Sequence, residues 1–336
     1  METVKLRPAS QSWQEQLIRF TPYIASGIIL IILPLFLPLY IQSLMTRILI
    51  FAIFAMSLDL IFGYAGLLSL GHAAYFGVGG YMVGVLMLRY GITSFWIGAP
   101  LGILMATLTA AVFGIIALRV SGMYFLLVTF ALGQLLSSAG WKWNWLKSEG
   151  TTGIVNIPRA DLGLPWFTWN AISFYFFVFL IFALCFFILY RIVNSPFGYA
   201  LRGIRESEPR MRALGYNIWL HKYIAFVVAG LLAGVAGVLF VYYNGMVTPV
   251  HLAIATSGPV MFMVIIGGAG TLYGPVIGAA VIILLEFYAS IFTPERWPLI
   301  LGGVFVISIM CARRGIGVYI ARLWKKVTDR YGSTTS

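Results

Sequence analysis

Charged side chains are scarce in this chain: Asp, Glu, Lys and Arg together make up 10% of its 336 residues. A soluble domain of ordinary composition carries about 25%. Hydrophobic residues make up 61% of the chain, and the mean hydropathy is +0.94. Because only helices and closed barrels satisfy their backbone groups inside a bilayer, long apolar runs of this kind predict an all-α polytopic membrane protein.

Cysteine and histidine are also scarce, and their placement argues against common site chemistries. Cys185 and Cys311 lie inside apolar runs, so we expect neither a disulfide nor a metal site. His72, His221 and His251 fall in different segments, and the sequence contains no HExxH, CxxC, GxSxG or GxxxxGK[ST] motif. The sequence therefore predicts no catalytic residue, no metal and no cofactor bound by this chain. A membrane-embedded enzyme would need a polar constellation that these residues do not supply.

The positive net charge does not indicate a nucleic-acid partner. The formal charge is +12, but the basic residues cluster at the ends of apolar runs, without the interleaved aromatic stripe of an RNA-binding surface. We expect the lipid bilayer, and no nucleic acid, as the surrounding partner.

Apolar segments divide the chain into about ten predicted spans of roughly the length that a bilayer requires. They cover residues 23–41, 44–62, 72–88, 95–118, 122–140, 171–190, 223–243, 257–267, 273–291 and 297–311. The predicted organisation is a polar N-terminal segment at 1–22, a transmembrane domain at 23–311 and a basic tail at 312–336.

The distribution of Lys and Arg predicts the orientation. With both termini cytoplasmic, most basic residues fall on the cytoplasmic side, as the positive-inside rule requires. The loop 191–222 is then cytoplasmic, and 141–170 is the main loop on the opposite, periplasmic side. Tryptophans flank that outer loop, either as an interfacial belt or as a docking surface for an extracytoplasmic partner: Trp141, Trp143, Trp145 and Trp166.

Two glycine-rich segments occur at membrane depth, at residues 63–80 and 267–278. Glycine there permits either close helix packing or a broken helix whose freed backbone lines a pathway. Both alternatives remain open, and polar neighbours slightly favour the second, since polar groups in lipid need partners. The candidate residues for the translocation path in these segments are Tyr64, Gly66, Ser69, His72, Tyr75, Gly267, Gly270, Thr271 and Tyr273.

Acidic residues within predicted spans are limited to Asp59 and Glu286. Asp59 lies near the cytoplasmic end of its span, where water can reach it. Glu286 lies in the outer half of its span and is a further candidate for the path or a gate, with a packed structural acid as the alternative. In a secondary transporter driven by an ion gradient, Glu286 would be essential.

The loop 191–222 concentrates charge between two apolar spans and predicts two short capped helices. Asn194 or Ser195 can cap the first, with Pro196 in its opening turn. Ser207 or Glu208 can cap the second, and Gly215 predicts its left-handed end. Such a basic amphipathic loop could lie on anionic lipid headgroups. The two acids Glu206 and Glu208 instead favour a groove on a soluble protein.

This loop, with the run Glu206-Ser-Glu-Pro-Arg-Met-Arg-Ala-Leu-Gly215, resembles the loop of ABC importer permeases that couples to an ATPase. Most of the chain, about residues 58–315, is similar to the LivM-like branched-chain amino acid permeases. The motifs that carry this resemblance, in order, are 58–72, Ser121-Gly-Met-Tyr-Phe125, Gly150-Thr-Thr-Gly153, 195–206, 225–237 and 263–278. The stretch Lys147-Ser-Glu-Gly150 departs from the glycine-rich pattern expected there, so contacts at this loop, and with them specificity, can differ.

The resemblance implies the ten-helix ABC importer permease fold and import by alternating access across a bacterial inner membrane. The implied partners are a second homologous permease, two cytoplasmic ATPases that hold ATP and Mg, and a periplasmic substrate-binding protein. The implied solutes are branched-chain amino acids, with urea or short amides as the alternative within the family. The implied ATPase-coupling residues are Arg202, Arg205, Glu206, Glu208, Arg210, Arg212 and Gly215.

Overall fold

A computed structural model describes residues 30–148, 150–161, 163 and 170–292, together with the single positions 299, 302, 303, 306, 310, 315 and 317. The regular elements in this part of the chain are helices. The polar segment at 1–22 and nearly all of the tail at 312–336 lie outside it, as do Cys311, Trp166 and most of the span predicted at 297–311.

Within the described residues, ten α-helices follow a short helical piece at residues 30–36. They are α1 (Leu39–Asp59), α2 (Ala73–Tyr90), α3 (Phe95–Ala117), α4 (Met123–Lys142), α5 (Ala171–Val193), α6 (Pro196–Glu206), α7 (Glu208–Ala213), α8 (Ile218–Asn244), α9 (Ile254–Gly267) and α10 (Gly274–Phe292). A π-helical turn, Leu60–Tyr64, extends α1, and short 3-10 helices occupy Asn144–Leu146 and Pro249–Leu252.

In the part of the chain that the structure describes, six helices are long and apolar enough to cross a membrane: Leu39–Tyr64, Phe95–Ala117, Met123–Lys142, Ala171–Val193, Ile218–Asn244 and Gly274–Ile291. The helix α9 is apolar but shorter. The predicted all-α polytopic fold class is therefore confirmed, and the chain is a multi-pass membrane protein.

The first boundary between predicted spans lies earlier than the sequence analysis placed it. The helix α1 begins at Leu39, directly after Pro38, rather than near residue 44. Proline disfavours helical geometry in the residue before it, so the break falls at residues 37–38. The Gln42 side chain donates to the carbonyls of Pro34 and Leu37, at 3.0 and 2.9 Å. Arg47, near the start of the span predicted at 44–62, consequently lies well inside α1.

The helices α1 and α8 form the centre of the described bundle. They pack against each other, and each has most of its residues buried, whereas α3, α4, α5 and α10 have most of theirs at the surface. Close approach of α8 to α2 depends on glycine: a methyl group on Gly237 would overlap the Phe76 carbonyl. The outer helices expose large apolar side chains, such as Leu180 at 67%, which suits a protein surrounded by lipid.

The predicted outer loop is partly described. Trp141, Trp143 and Trp145 are exposed there, as both an aromatic belt and a docking surface require. The loop is tied to the end of α8 by paired backbone hydrogen bonds of 2.9 Å between Ile154 and Val247. Its two functional alternatives stay open.

Candidate functional site

The charged loop folds as two short helices, as the sequence predicts. Ser195 precedes α6, and its hydroxyl accepts from the Gly198 N–H at 3.5 Å, while Pro196 occupies the first turn. Ser207 stands at the start of α7 without a side-chain capping bond. The segment between the two long helices is shorter than the predicted loop 191–222, because α5 continues to Val193 and α8 begins at Ile218.

Gly215 ends α7 in the left-handed conformation, with φ of 87°. Its N–H donates to the Arg212 carbonyl at 3.0 Å, and the next N–H, of Tyr216, donates to the Met211 carbonyl at 3.1 Å. This pair of bonds is the Schellman arrangement, which favours glycine at this position. Gly215 therefore shapes the turn between α7 and α8, and its predicted place in the loop has a structural reason.

The helices α6 and α7 are fastened to each other and to α8. Ala200, Ile204, Met211 and Ile218 form a small buried apolar cluster between them. Lys222, in the first turns of α8, forms an ion pair of 2.5 Å with Glu208. The two helices consequently form one unit that moves with the start of α8.

Arg205 connects this unit to the end of the first central helix. Its Nη1 donates to the Gly63 carbonyl in the π-helical turn that extends α1. Arg202 lies over the Tyr64 ring, 5.1 Å from the centroid, and also contacts the Tyr199 ring. In a π-helical turn, the regular i→i+4 hydrogen bonds are interrupted, so some backbone carbonyls have no partner within the helix. The Gly63 carbonyl can therefore accept a hydrogen bond from a side chain.

Gly63 also contacts the second glycine-rich segment. A methyl group on Gly63 would overlap both the Gly270 backbone nitrogen and Asp59 Oδ1. Gly270 has φ of 81°, which favours glycine, and its N–H donates to Asp59 Oδ1 at 2.7 Å. The two segments, 207 residues apart by the difference between positions 270 and 63, therefore meet backbone to backbone.

Two further glycine pairs complete the contact. A methyl group on Gly315 would overlap Gly268, and one on Gly317 would lie 2.6 Å from the Gly267 carbonyl. We name the set Gly63, Gly267, Gly268, Gly270, Gly315 and Gly317 the glycine junction. It joins the end of α1, the turn between α9 and α10, and the chain beyond α10.

Asp59 is central to the glycine junction, although the sequence analysis did not select it. Its side chain is fully buried, contrary to the expectation that water reaches it. Oδ1 is bonded to Gly270, and Oδ2 has no hydrogen-bond partner in the described structure. The sequence contains one signal for this role. Asp59 lies four residues before Gly63 at the end of an apolar helix, and this spacing places both residues on one helix face.

A cleft of about 640 Å³ opens beside the glycine junction, between the turn after α1, the turn before α4 and the unit formed by α6 and α7. It is lined by Ala65, Gly66, Leu67, Ser121, Gly122, Ile204, Arg205, Glu206, Ser207, Glu208, Pro209, Arg212 and Lys222. Five of these carry charge, three basic and two acidic, so the cleft suits a polar protein segment of mixed sign.

The predicted coupling residues divide between the cleft and the outer faces of α6 and α7. Arg205, Glu206, Glu208 and Arg212 line the cleft, whereas Arg210 is exposed outside it. Arg202 faces Tyr64, as described above.

The predicted path residues do not form one surface. Tyr64 and Gly66 lie beside α6, and a methyl group on Gly66 would meet the Arg205 side chain at 3.0 Å. Thr271 donates to the Gly268 carbonyl at 2.6 Å, and the Tyr273 ring lies near Gly317. These positions belong to the neighbourhood of the glycine junction.

Three other path candidates are buried among the helices. His72 Nε2 lies 2.8 Å from the Ser57 hydroxyl, and its ring stacks on Phe54. Tyr75 meets the His72 ring edge-on. Ser69 is 1% exposed, and neither its hydroxyl nor His72 Nδ1 has a hydrogen-bond partner in the described structure. His72 and Tyr75 thus lie together in the interior with Ser57, Ser69 is buried nearby in the sequence, and none of them lines the cleft.

Glu286 lies away from both groups, about 18 Å along α10 from its start at 1.5 Å per residue. It pairs with Arg47 of α1. Among the described residues, no three His, Cys, Asp or Glu side chains gather as a metal site would require.

The comparisons with known proteins agree with the resemblance seen in the sequence. The family model described as the permease component of branched-chain amino acid transport systems matches residues 40–310. The chain is 28% identical to the high-affinity branched-chain amino acid transport permease LivM of Escherichia coli, over 81% of this chain and 68% of that protein. It is 25% identical to a probable LivM of Methanocaldococcus jannaschii, over 72% of this chain and 79% of that protein. No solved structure matches.

Proposed function

Because the chain belongs to the family of branched-chain amino acid permease components, we propose that it is the permease subunit of an ATP-driven importer for branched-chain amino acids. The proposed partners are a second homologous permease, two cytoplasmic ATPases that hold ATP and Mg, and a periplasmic substrate-binding protein. The proposed location is a bacterial inner membrane, with both termini and the loop 191–222 on the cytoplasmic side. The excess of Lys and Arg in those segments supports this orientation.

The observation that carries the proposal is the bond from Arg205 to the Gly63 carbonyl. It connects a short, charged surface helix to the central helix α1 and, through Gly63, to the turn before α10. A helix that only rested on lipid headgroups would need no such bond to the transmembrane core.

In the proposed mechanism, ATP binding closes the ATPase pair against α6 and α7. Because Glu208 is paired with Lys222 and Arg205 with Gly63, movement of this unit shifts the start of α8 and the end of α1 together. Contact at Gly270 transmits the shift to the turn before α10. The permease pair then changes the side on which its path is open, which is alternating access.

Affinity purification of the tagged chain from its native membrane in mild detergent tests the proposal. We expect an ATPase and a second permease to co-purify in comparable amounts, and leucine to be the solute of the associated binding protein. A binding protein specific for urea or a short amide would overturn the solute assignment alone. A chain that purifies repeatedly by itself would overturn the importer and favour a gradient-driven carrier that depends on Glu286.

Reversing the charge of Glu206 is expected to uncouple transport from ATP hydrolysis. Glu206 is exposed in the cleft, whereas Glu208 is paired with Lys222, so Glu206→Lys changes the docking surface without breaking that ion pair. Like charges across an interface cost several kcal/mol, and about 1.4 kcal/mol is a factor of ten, so leucine uptake per ATP is expected to fall by at least about tenfold. Reconstituted vesicles report both rates.

The matched control is Glu206→Asp, which keeps the sign of the charge and is expected to retain most of the uptake. Normal uptake by Glu206→Lys, with normal amounts of assembled complex, would remove Glu206 from the coupling surface.

A further inference from the structure

A second polar feature lies far from the glycine junction and plays no part in the proposed coupling. Arg47 of α1 and Glu286 of α10 form an ion pair, in which one guanidinium nitrogen contacts both carboxylate oxygens at 3.1 and 3.0 Å. The pair joins two helices that pack along their length. It therefore has a defined geometry between two candidate spans.

The ion pair lies inside its helices rather than at their ends. Arg47 is about 12 Å beyond the start of α1, and Glu286 is about 9 Å before the end of α10, at 1.5 Å per residue. Their side chains are nevertheless 34% and 27% exposed on the surface of this chain. Charged groups at membrane depth face a bundle interior or a water-filled cavity, because exposure to lipid is costly. Something other than lipid must therefore meet this face in the assembled transporter.

Aromatic rings belong to the same two helices. The Arg47 guanidinium lies 5.7 Å from the centroid of the Phe51 ring, one helical turn further along α1, and that ring is buried in the core. Next to Glu286 in the sequence, the Phe287 ring packs against the exposed Tyr40 ring, with centroids 5.1 Å apart. The two helices thus offer one positive group, one negative group and an exposed aromatic surface.

We propose that Arg47 and Glu286 line the translocation path and form a transient binding site for the zwitterionic head of an apolar amino acid. The Arg47 guanidinium contacts the α-carboxylate, Glu286 contacts the α-ammonium group, and the neighbouring rings contact the aliphatic side chain. When no solute is bound, the two side chains form an ion pair with each other. This inference rests on the proposed function for the class of solute, and a neutral solute such as urea would have no use for such a pair.

Leucine uptake by the complete complex, reconstituted with its binding protein, tests the binding role. Removing both charges in Arg47→Gln/Glu286→Gln eliminates two charged contacts to the solute, so uptake is expected to fall at least about tenfold. The amount of co-purified ATPase should stay unchanged. Exchanging the charges in Arg47→Glu/Glu286→Arg restores an ion pair, but the positive and negative groups have then changed places relative to the aromatic rings. Uptake should therefore stay low. Recovery of uptake in the exchanged variant would show a purely structural ion pair and overturn the proposal.

Thiol labelling tests the location independently of the solute. In a background with Cys185→Ala and Cys311→Ala, Glu286→Cys is expected to react with a charged, membrane-impermeant methanethiosulfonate in the assembled transporter. The matched control is Leu180→Cys, a position of α5 that is 67% exposed and faces the outside of the bundle, where no reaction is expected.

The two experiments separate this inference from the proposed function. Reaction of Glu286→Cys supports the location, and loss of uptake in Arg47→Gln/Glu286→Gln supports the site. An unreactive Glu286→Cys would place the pair against the second permease and overturn the inference, even with leucine uptake intact in the unaltered chain. Rapid labelling of Glu286→Cys together with undiminished uptake by Arg47→Gln/Glu286→Gln would retain the water-filled path and overturn the zwitterion site.

Discussion

Replacing Gly63 with alanine is expected to disrupt the glycine junction and abolish transport. The new methyl group would overlap the Gly270 backbone nitrogen, which cannot move aside as a flexible side chain would, and Asp59 Oδ1 on its other side. Overpacking costs about 1–3 kcal/mol and a buried hydrogen-bonding group left without its partner about 1–3 kcal/mol more, so the loss of stability is about 2–6 kcal/mol. The temperature at which the detergent-solubilised complex aggregates should fall markedly, and leucine uptake with it.

The matched control for this variant is Gly258→Ala in α9. A methyl group on Gly258 meets nothing within 4 Å, and the exchange of glycine for alanine within a helix is favourable in itself. This variant should keep both its thermal stability and its uptake. If Gly63→Ala behaved in the same way, the end of α1 and the turn before α10 would have room to separate, and the glycine junction could not transmit movement.

The second large effect is expected from Arg205→Ala, and it should concern coupling rather than folding. The substitution removes the donor to the Gly63 carbonyl but leaves the apolar cluster and the ion pair between Lys222 and Glu208 in place. The complex should therefore assemble with its ATPases. Because the bond to α1 is lost, uptake is expected to fall at least about tenfold at an unchanged rate of ATP hydrolysis, as for removal of one charged hydrogen bond.

Two further variants define what Arg205 contributes. Arg205→Lys keeps a donor and the positive charge, so partial recovery of uptake is expected. Arg119→Ala removes an exposed arginine just after α3 and should leave both rates as in the unaltered chain. Full uptake with Arg205→Ala would mean that the movement reaches the membrane by another contact, such as the start of α8.

Local sequence patterns predicted much of the fold. Apolar runs located the main helices to within a few residues, since burial in lipid depends on the composition of each segment. Ser195, Pro196 and Gly215 predicted the limits of α6 and α7, because capping is decided by a few adjacent residues. The break at Pro38 was placed several residues too late, since the surrounding sequence is apolar on both sides.

Contacts between distant segments could not be predicted from such patterns. Hydropathy gives no information on which glycines meet, so Gly270 was predicted as a path residue without Gly63, the glycine that it contacts. The same limit applies to Arg47, which lies in the span predicted at 44–62 but whose pairing with Glu286 no local pattern indicates. The burial of Asp59 could not be predicted either, because it depends on the contact with Gly270, a residue of another segment.

The bond between Asp59 and Gly270 has a consequence for biogenesis. The two residues are 211 positions apart, so the carboxylate enters the bilayer long before its partner has left the ribosome. Until α9 and the turn after it are inserted, the first half of the nascent chain contains an unsatisfied acid at the end of a span, which lipid tolerates poorly. Release from the insertion machinery as a stable product therefore depends on synthesis of the last third of the chain. We expect prematurely terminated chains that end before residue 270 to be degraded more readily than the full chain, because Asp59 then lacks its hydrogen-bond donor.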